Sequence, residues 1–547
     1  MGRFQVFFVN GLLLTGTSLV MRTVGVAFNA YITGKLGAAG TGLFSLVMSV
    51  YTLAVTFATS GANLAATRMV AEVLGREETI GAPANTYGTA NNRVRPVSRD
   101  GVSSGVRAVM RRCILYAAAA GVIAGTALFA FAPVIGRVWL SNDDTVLSLR
   151  VLAVSLPFIA LSSAMSGYFN AVRRVAKNAA SQVFEQFCKI SLTVLGLTFL
   201  MPYGIKYACV AVVGGGCVAE ALSCVTAWLM YRRDLNKNFK KPRSIGKTDG
   251  CIMKKLLGVT VPVALTAYVR SGLVTLEHIL IPRGLRKNGS SYDGSLATYG
   301  VLSGMVFPII LYPSAMLSSF AGLLIPELAE AEERNDGYRI KYIAENAMRM
   351  AMLFSIGCAG VMCFYSGDLG RLVYSSEEAG KYISVLAPLI PVMYMDTTVD
   401  AMLKGLGEQL YSMRVNITDA FLSVVLVWLL VPKMGIMGYV VTVIICEIIN
   451  AGMSLIRLTK RSGLRVRIVK WCILPALSIL GASAVVHAAE KMLFGVICKG
   501  VLGTVLSIAA TVLIYIVFLG AFGCVNRLDV VRFKLPGMKK RVSGRMI

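Results

Sequence analysis

Runs of about 20 apolar residues recur along the whole chain, and that recurrence restricts the fold more than any motif does. A helix of that length crosses roughly 30 Å of hydrocarbon, and lipid offers no partner for an unpaired backbone group. An all-α polytopic membrane protein is therefore expected. About fourteen spans can be counted, at 4–32, 43–73, 113–135, 147–172, 179–201, 207–231, 256–281, 296–325, 348–365, 383–403, 413–431, 435–458, 469–489 and 501–522. A composition of 56% hydrophobic and 15% charged residues, with mean hydropathy +0.68, excludes an ordinary soluble domain.

The net charge of +27 would suggest nucleic acid if the chain were soluble. Here Lys and Arg sit between the apolar runs, so they read as loops facing anionic membrane lipid, and no nucleic-acid partner is expected. With the N-terminus inside, the inside segments hold roughly 38 Lys/Arg and the outside segments about 11. Both termini are thus expected in the cytoplasm. The first run is long, carries Arg22 and lacks a cleavage site, so it reads as a retained helix. The 12 Cys stand mostly singly inside apolar runs, and the only two histidines, His278 and His487, lie on distant spans. Neither pattern suggests disulfides, a metal or a cofactor.

The chain also reads as one plan used twice. Residues 256–281 form an apolar run with Arg270 at its middle and Glu277 seven residues on. A turn-like segment, 282–294, leads to a second apolar run that ends in Pro326-Glu327-Leu328-Ala329-Glu330. The chain begins in the same way: 4–32 holds Arg22 and, seven residues later, Asn29. A Gly-rich turn, 34–42, leads to a run ending in Arg68-Met69-Val70-Ala71-Glu72. Seven residues are two helical turns, so each pair shares a face roughly 10 Å apart. Further on, Asn170-Ala171 corresponds to Asp400-Ala401, Glu185 to Asp419, and Glu220 to Glu447. The expected domains are an N-lobe (1–231), a basic cytoplasmic linker (232–255), a C-lobe (256–458), and a last pair of spans with a basic tail (459–547). The polar stretch 75–112 is expected to be a mobile cytoplasmic loop that folding does not need.

A charge in the bilayer core costs about 2.5–3.5 kcal/mol on insertion scales, so intramembrane charges mark a cavity or a partner. Arg22 and Arg270 occupy mid-depth of the first span of each lobe, where guanidinium groups would suit a phosphate or diphosphate. A structural alternative is neutralisation of the Arg by Glu277 or a backbone carbonyl. Asp396, Asp400 and Lys404 follow at i, i+4, i+8 on one face, where the acids would bind a coupling cation, bind a sugar hydroxyl, or pair with Arg. Glu185 with Lys189 reads as a self-neutralising pair, and Glu220, Asp419 and Glu447 as packing or gating groups. Gly121-x-x-x-Gly125 and Gly300-x-x-x-Gly304 are helix-packing motifs.

Several phrases carry a family resemblance. They are Asn10-Gly11 through Arg22, Ser49-Val50-Tyr51 with Ala58-Thr59-Ser60-Gly61, and Thr275-Leu276-Glu277-His278 with Ile281-Pro282. Pro326-Glu327-Leu328-Ala329-Glu330, Leu403-Lys404-Gly405-Leu406-Gly407-Glu408-Gln409 and Asn416-Ile417-Thr418-Asp419 add to them. Together they resemble the oligosaccharide flippase branch of the multidrug/oligosaccharidyl-lipid/polysaccharide exporter superfamily. Within it the chain is similar to the stage V sporulation protein B group and, more distantly, to the lipid II flippases. The resemblance implies two six-helix lobes around a basic central cavity, alternating access, and a bacterial plasma membrane location. It also implies a lipid-linked oligosaccharide of the polyprenyl diphosphate type as substrate. Arg22 and Arg270 are the positions that fit the diphosphate-binding cations of the lipid II flippases, and with Asn29, Arg68, Glu277, Asp396 and Asp400 they make up the candidate substrate-binding residues. A monomer is expected, with a coupling cation as a further candidate partner.

Two other functions compete. A cation-coupled exporter of small molecules would use Asp396, Asp400 and Glu277 as cation sites. A membrane enzyme acting on the same lipid would need a nucleophile–base constellation at a membrane face. The outer loops 282–294 and 366–381 are short and hold no His, so no enzyme activity is expected.

Overall fold

The computed structural model describes residues 3–59, 61–78, 99–172, 174–238, 249–464, 466–490 and 500–524. Among these residues all regular structure is helical. The helices of the first half are α1 (Arg3–Thr59), α2 (Ala62–Glu78), α3 (Arg99–Val134), α4 (Asp144–Ala171), α5 (Val175–Leu200) and α6 (Ile205–Asn238). Next come α7 (Asp249–Lys287), α8 (Tyr292–Gly300), α9 (Phe307–Leu311), α10 (Ser314–Glu333) and α11 (Gly337–Phe364). The series ends with α12 (Ser366–Tyr374), α13 (Glu377–Leu386), α14 (Ile390–Gly405), α15 (Gln409–Met434), α16 (Ile436–Ser462), α17 (Leu474–Ala489) and α18 (Val501–Ala521). Twelve helical stretches among the described residues are long and apolar enough to cross a membrane. One of them, Val20–Leu74, takes in both the first and the second expected span.

The expected Gly-rich turn at 34–42 is instead helical, apart from one residue. At 57 residues α1 would be about 85 Å long if straight, far more than a bilayer core. It is broken at Gly37 (φ 70°), and Gly61 (φ 79°) separates it from α2. Both positions take a left-handed backbone that side chains with a Cβ resist.

Other boundaries also move. The segment expected as a loop at 75–112 is helical at both ends: α2 runs to Glu78 and α3 begins at Arg99. Val106, Val109, Met110 and Cys113 are buried against Ala65, Met69, Val70, Tyr168 and Phe169, an i, i+3, i+4, i+7 stripe that explains the early start. Residues 79–98, with most of that loop, lie outside the described residues, as do much of the linker (239–248) and the tail (525–547). Pro282 belongs to α7, which continues to Lys287 because Ile281 and Leu285 extend its buried face. The run expected at 296–325 is instead interrupted. α8 passes into a π segment (Val301–Val306), α9 ends before Pro313, and α10 continues through Pro326.

Packing divides the chain into two compact units: Met1–Pro308 with Met413–Cys446, and Ile309–Ser412 with Glu447–Ile547. This division does not coincide with the linker at 232–255, because α7 and α8 pack on α1. Lipid tails are as apolar as Leu, so close approach through small residues does much of the work. A Cβ on Gly42 would stand 2.0 Å from the Leu296 carbonyl oxygen, and one on Gly300 would stand 2.2 Å from that of Ala38. Gly121 and Gly125 likewise admit the backbone of α4. Along the same side Thr275 donates to the Ser49 carbonyl (3.2 Å), Ser271 to Thr56 (3.2 Å), and Tyr268 stacks on Phe57.

In the second unit Leu324, Leu328, Ile340, Ala344, Met348, Val399, Met402 and Leu458 form one core cluster. α17 and α18 are fixed to α11, where Gly357 receives Tyr515, Gly360 receives Ile479, and the Tyr515 hydroxyl donates to the Leu353 carbonyl at 2.8 Å.

A candidate polar site between α7 and α15

The helical period carries Arg270 and Glu277 on α7, two turns apart. α15 supplies Asp419 and Ser423, one turn apart. Ser423 lies beside Glu277, and Asp419 lies within electrostatic reach of both Glu277 and Arg270. Arg270 is exposed, and the two acids are half-buried. The result is a seam of alternating charge along two largely apolar helices. It offers a guanidinium at one end and a carboxylate with a hydroxyl at the other. Beside it, the Tyr299 hydroxyl and His278 Nδ1 share a hydrogen bond of 2.9 Å, and Tyr439 is buried within electrostatic reach of Glu277 and Tyr299.

The other predicted site residues are placed as follows. Asn29 donates from Nδ2 to the Gly304 carbonyl (2.7 Å), so its amide is used in holding the π segment. Arg22 is half-buried two turns earlier on α1 and engaged with its surroundings. Arg68 is exposed on α2. Asp396 and Asp400 lie in the second unit. Asp396 accepts from Asn450 Nδ2 (3.3 Å), while Asp400 pairs with Lys404 Nζ (2.6 Å) and accepts from Ser412. The i, i+4 spacing is thus realised as an ion pair.

Some polar partners were not anticipated. Glu185 accepts from Ser223 (3.1 Å) and lies close to Glu220 of the next helix, so it is not balanced by Lys189 alone. Ser423, one turn from Asp419, and the Tyr299–His278 link were also missed. A serine inside an apolar run gives no signal until its helix neighbour is known.

Comparison with known proteins agrees with this architecture. Residues 8–313 match the family described as "Polysaccharide biosynthesis protein", and 293–429 match the MatE family. Stage V sporulation protein B of Bacillus subtilis (strain 168) is 24% identical over 541 residues, covering 97% of this chain and 98% of that protein. Lipid II flippase MurJ of the same organism is 22% identical over 506 residues, 84% of this chain and 87% of that protein. Among solved structures, Lipid II flippase MurJ in an inward closed conformation aligns over 95% of this chain and 100% of its own (TM-score 0.64, 13% identity). A multidrug resistance MATE family transporter in an inward-facing conformation aligns over 82% and 98% (TM-score 0.60, 16% identity). At these identities the structures establish the fold.

Proposed function

The chain belongs to the polysaccharide biosynthesis protein family, and we propose that it is a flippase. Its cargo is a lipid-linked oligosaccharide or a cell-wall precursor of the peptidoglycan type, carried across the bacterial plasma membrane by alternating access. The observation that carries this reading is the seam of Arg270, Asp419, Glu277 and Ser423 inside an apolar helix pair. Intramembrane charge is too costly to keep without a cavity or partner. The full-length similarity to stage V sporulation protein B and the Lipid II flippase points to a large lipid-linked cargo.

In this reading Arg22 and Arg270 grip the diphosphate bidentately, and Arg68 meets the headgroup at the cytoplasmic end. Transport is the protein's activity and no bond is broken, and a monomer suffices. Both termini face the cytoplasm, so reporters fused at Lys247 and Gly537 are expected to be active only inside. The test is translocation of a fluorescent polyprenyl-diphosphate oligosaccharide between leaflets of proteoliposomes. No leaflet movement in folded protein, across a panel of such lipids, would end the proposal.

The MatE match over 293–429 favours a second reading, a cation-coupled exporter of small molecules. There Glu277, Asp396 and Asp400 would bind the coupling cation. Export of a cationic dye without lipid translocation would select it.

A further inference from the structure

In the second unit Arg334, Arg339, Lys341, Lys404, Arg457 and Arg461 each lie within 4.0 Å of a carboxylate of the same unit. Arg457 and Arg461 converge on Glu408, whose side chain is only 15% exposed, and Arg457 also stacks over Tyr411.

In the first unit the start of α3 meets the end of α6. Arg107 Nη2 donates to the Leu235 carbonyl (3.3 Å) and to Asn236 Oδ1 (3.2 Å), which fixes the register. One turn deeper on α3 is Arg111, and one turn deeper on α6 are Arg232 and Arg233, with Lys237 beyond them. All four are exposed. The acid among them, Asp234, has no exposed side-chain surface. It is turned inward onto the Tyr168 hydroxyl (2.9 Å), Arg174 and Lys177. The acids of α2 and α3 are Glu72, Glu77 and Glu78 on α2 and Asp100 in the first turn of α3. On the membrane side of the cations stands Trp228, with the Arg232 guanidinium 5.3 Å from its ring centroid. An aromatic at the hydrocarbon border with cations just beyond it is the arrangement that meets lipid headgroups.

We propose that the groove between the start of α3 and the end of α6, lined by Arg107, Arg111, Arg232, Arg233, Lys237 and Trp228, is a docking surface for anionic phospholipid headgroups. The cytoplasmic leaflet supplies them, given the topology proposed above. Charge complementarity selects the occupant: Arg111, Arg232, Arg233 and Lys237 are exposed while the acid between them, Asp234, is hidden. Each Lys or Arg at an anionic surface adds about fivefold to affinity, and salt screens the gain.

The experiment is lipid retention by the full-length protein in nanodiscs of phosphatidylcholine with increasing phosphatidylglycerol, read by native mass spectrometry. R111Q/R232Q/R233Q/K237Q is compared with wild type and with K35Q/K287Q/K433Q, which removes exposed cations from outside the groove. We expect the quadruple variant to retain phosphatidylglycerol about tenfold less or worse, with the triple variant unchanged. Wild-type affinity should fall as salt rises. Equal retention by the quadruple variant and wild type would overturn the proposal. So would displacement of the bound lipid by millimolar pyrophosphate, which would mark a diphosphate site instead. Because the readout is lipid binding and not translocation, its failure is distinct from failure of the flippase reading.

Discussion

The side-chain amide of Asn29 donates to the carbonyl of Gly304 at 2.7 Å, tying α1 to the π segment that follows α8. A π turn leaves the carbonyls of its helix imperfectly paired, and the amide supplies a donor for one of them. Asn29→Ala is therefore expected to lower stability by about 1–2 kcal/mol, the cost of a half-buried carbonyl losing its donor. Asn29→Asp should do no better, because a carboxylate cannot donate. Melting of the detergent-solubilised protein checks this. A substrate-binding role alone would leave melting intact while transport falls.

The same helix pair supplies a second expectation. The Cβ of Gly42→Ala would meet the Leu296 carbonyl oxygen at 2.0 Å, and that of Gly300→Ala the Ala38 oxygen at 2.2 Å. These neighbours are backbone and have nowhere to go, so α1 and α8 must separate. Each substitution should cost about 3 kcal/mol or more, at the upper end of overpacking effects. Gly272→Ala, where a Cβ meets nothing within 4 Å, serves as the control and should melt like wild type.

Much of this fold could be read from the sequence, because in lipid a helix must satisfy its own backbone and its apolar length is visible. The small-residue motifs were legible for a related reason: Gly121, Gly125, Gly300 and Gly304 all pack against a neighbouring helix. Breaks were harder to see. Gly37 has glycine neighbours at 34, 40 and 42 that remain helical, so only the backbone shows which residue turns. At the site, Arg270 and Glu277 announce themselves as charges in an apolar run. Their partners on α15 do not, since which helix lies opposite is decided by packing. Asp400 shows the converse: its i, i+4 spacing to Lys404 is visible in the sequence, yet the expected partners were a cation, a sugar hydroxyl or an Arg, and the structure pairs it with Lys404.

The beginning of α3 gives a third prediction. Met110 is fully buried in the cluster with Met69, Val70, Tyr168 and Phe169, in a region whose polar residues had suggested a loop. Met110→Ala should cost about 2–5 kcal/mol, as deletions of well-packed core side chains do. Met110→Leu, which nearly keeps the volume, should cost under about 1.5 kcal/mol. A melting curve for Met110→Ala that matches wild type would return this stretch to the loop.

The last prediction separates two roles for Arg270. Asp419 interacts with it electrostatically across the seam, so the guanidinium has an acid nearby that could be its sole purpose. If pairing is that purpose, Arg270→Ala impairs the protein by leaving Asp419 uncompensated, and adding Asp419→Asn should restore both melting and transport. If Arg270 grips a diphosphate, the double variant melts normally but still fails to move lipid-linked oligosaccharide. The second outcome is expected here. Arg270→Lys should then be partly active, because an ammonium holds the charge but not the two-pronged geometry. Arg22→Ala should behave like the double variant, well folded and inactive, and Arg22→Lys like Arg270→Lys. Full transport by the Arg270→Ala/Asp419→Asn double variant would reduce Arg270 to a structural cation and leave the diphosphate without its second grip.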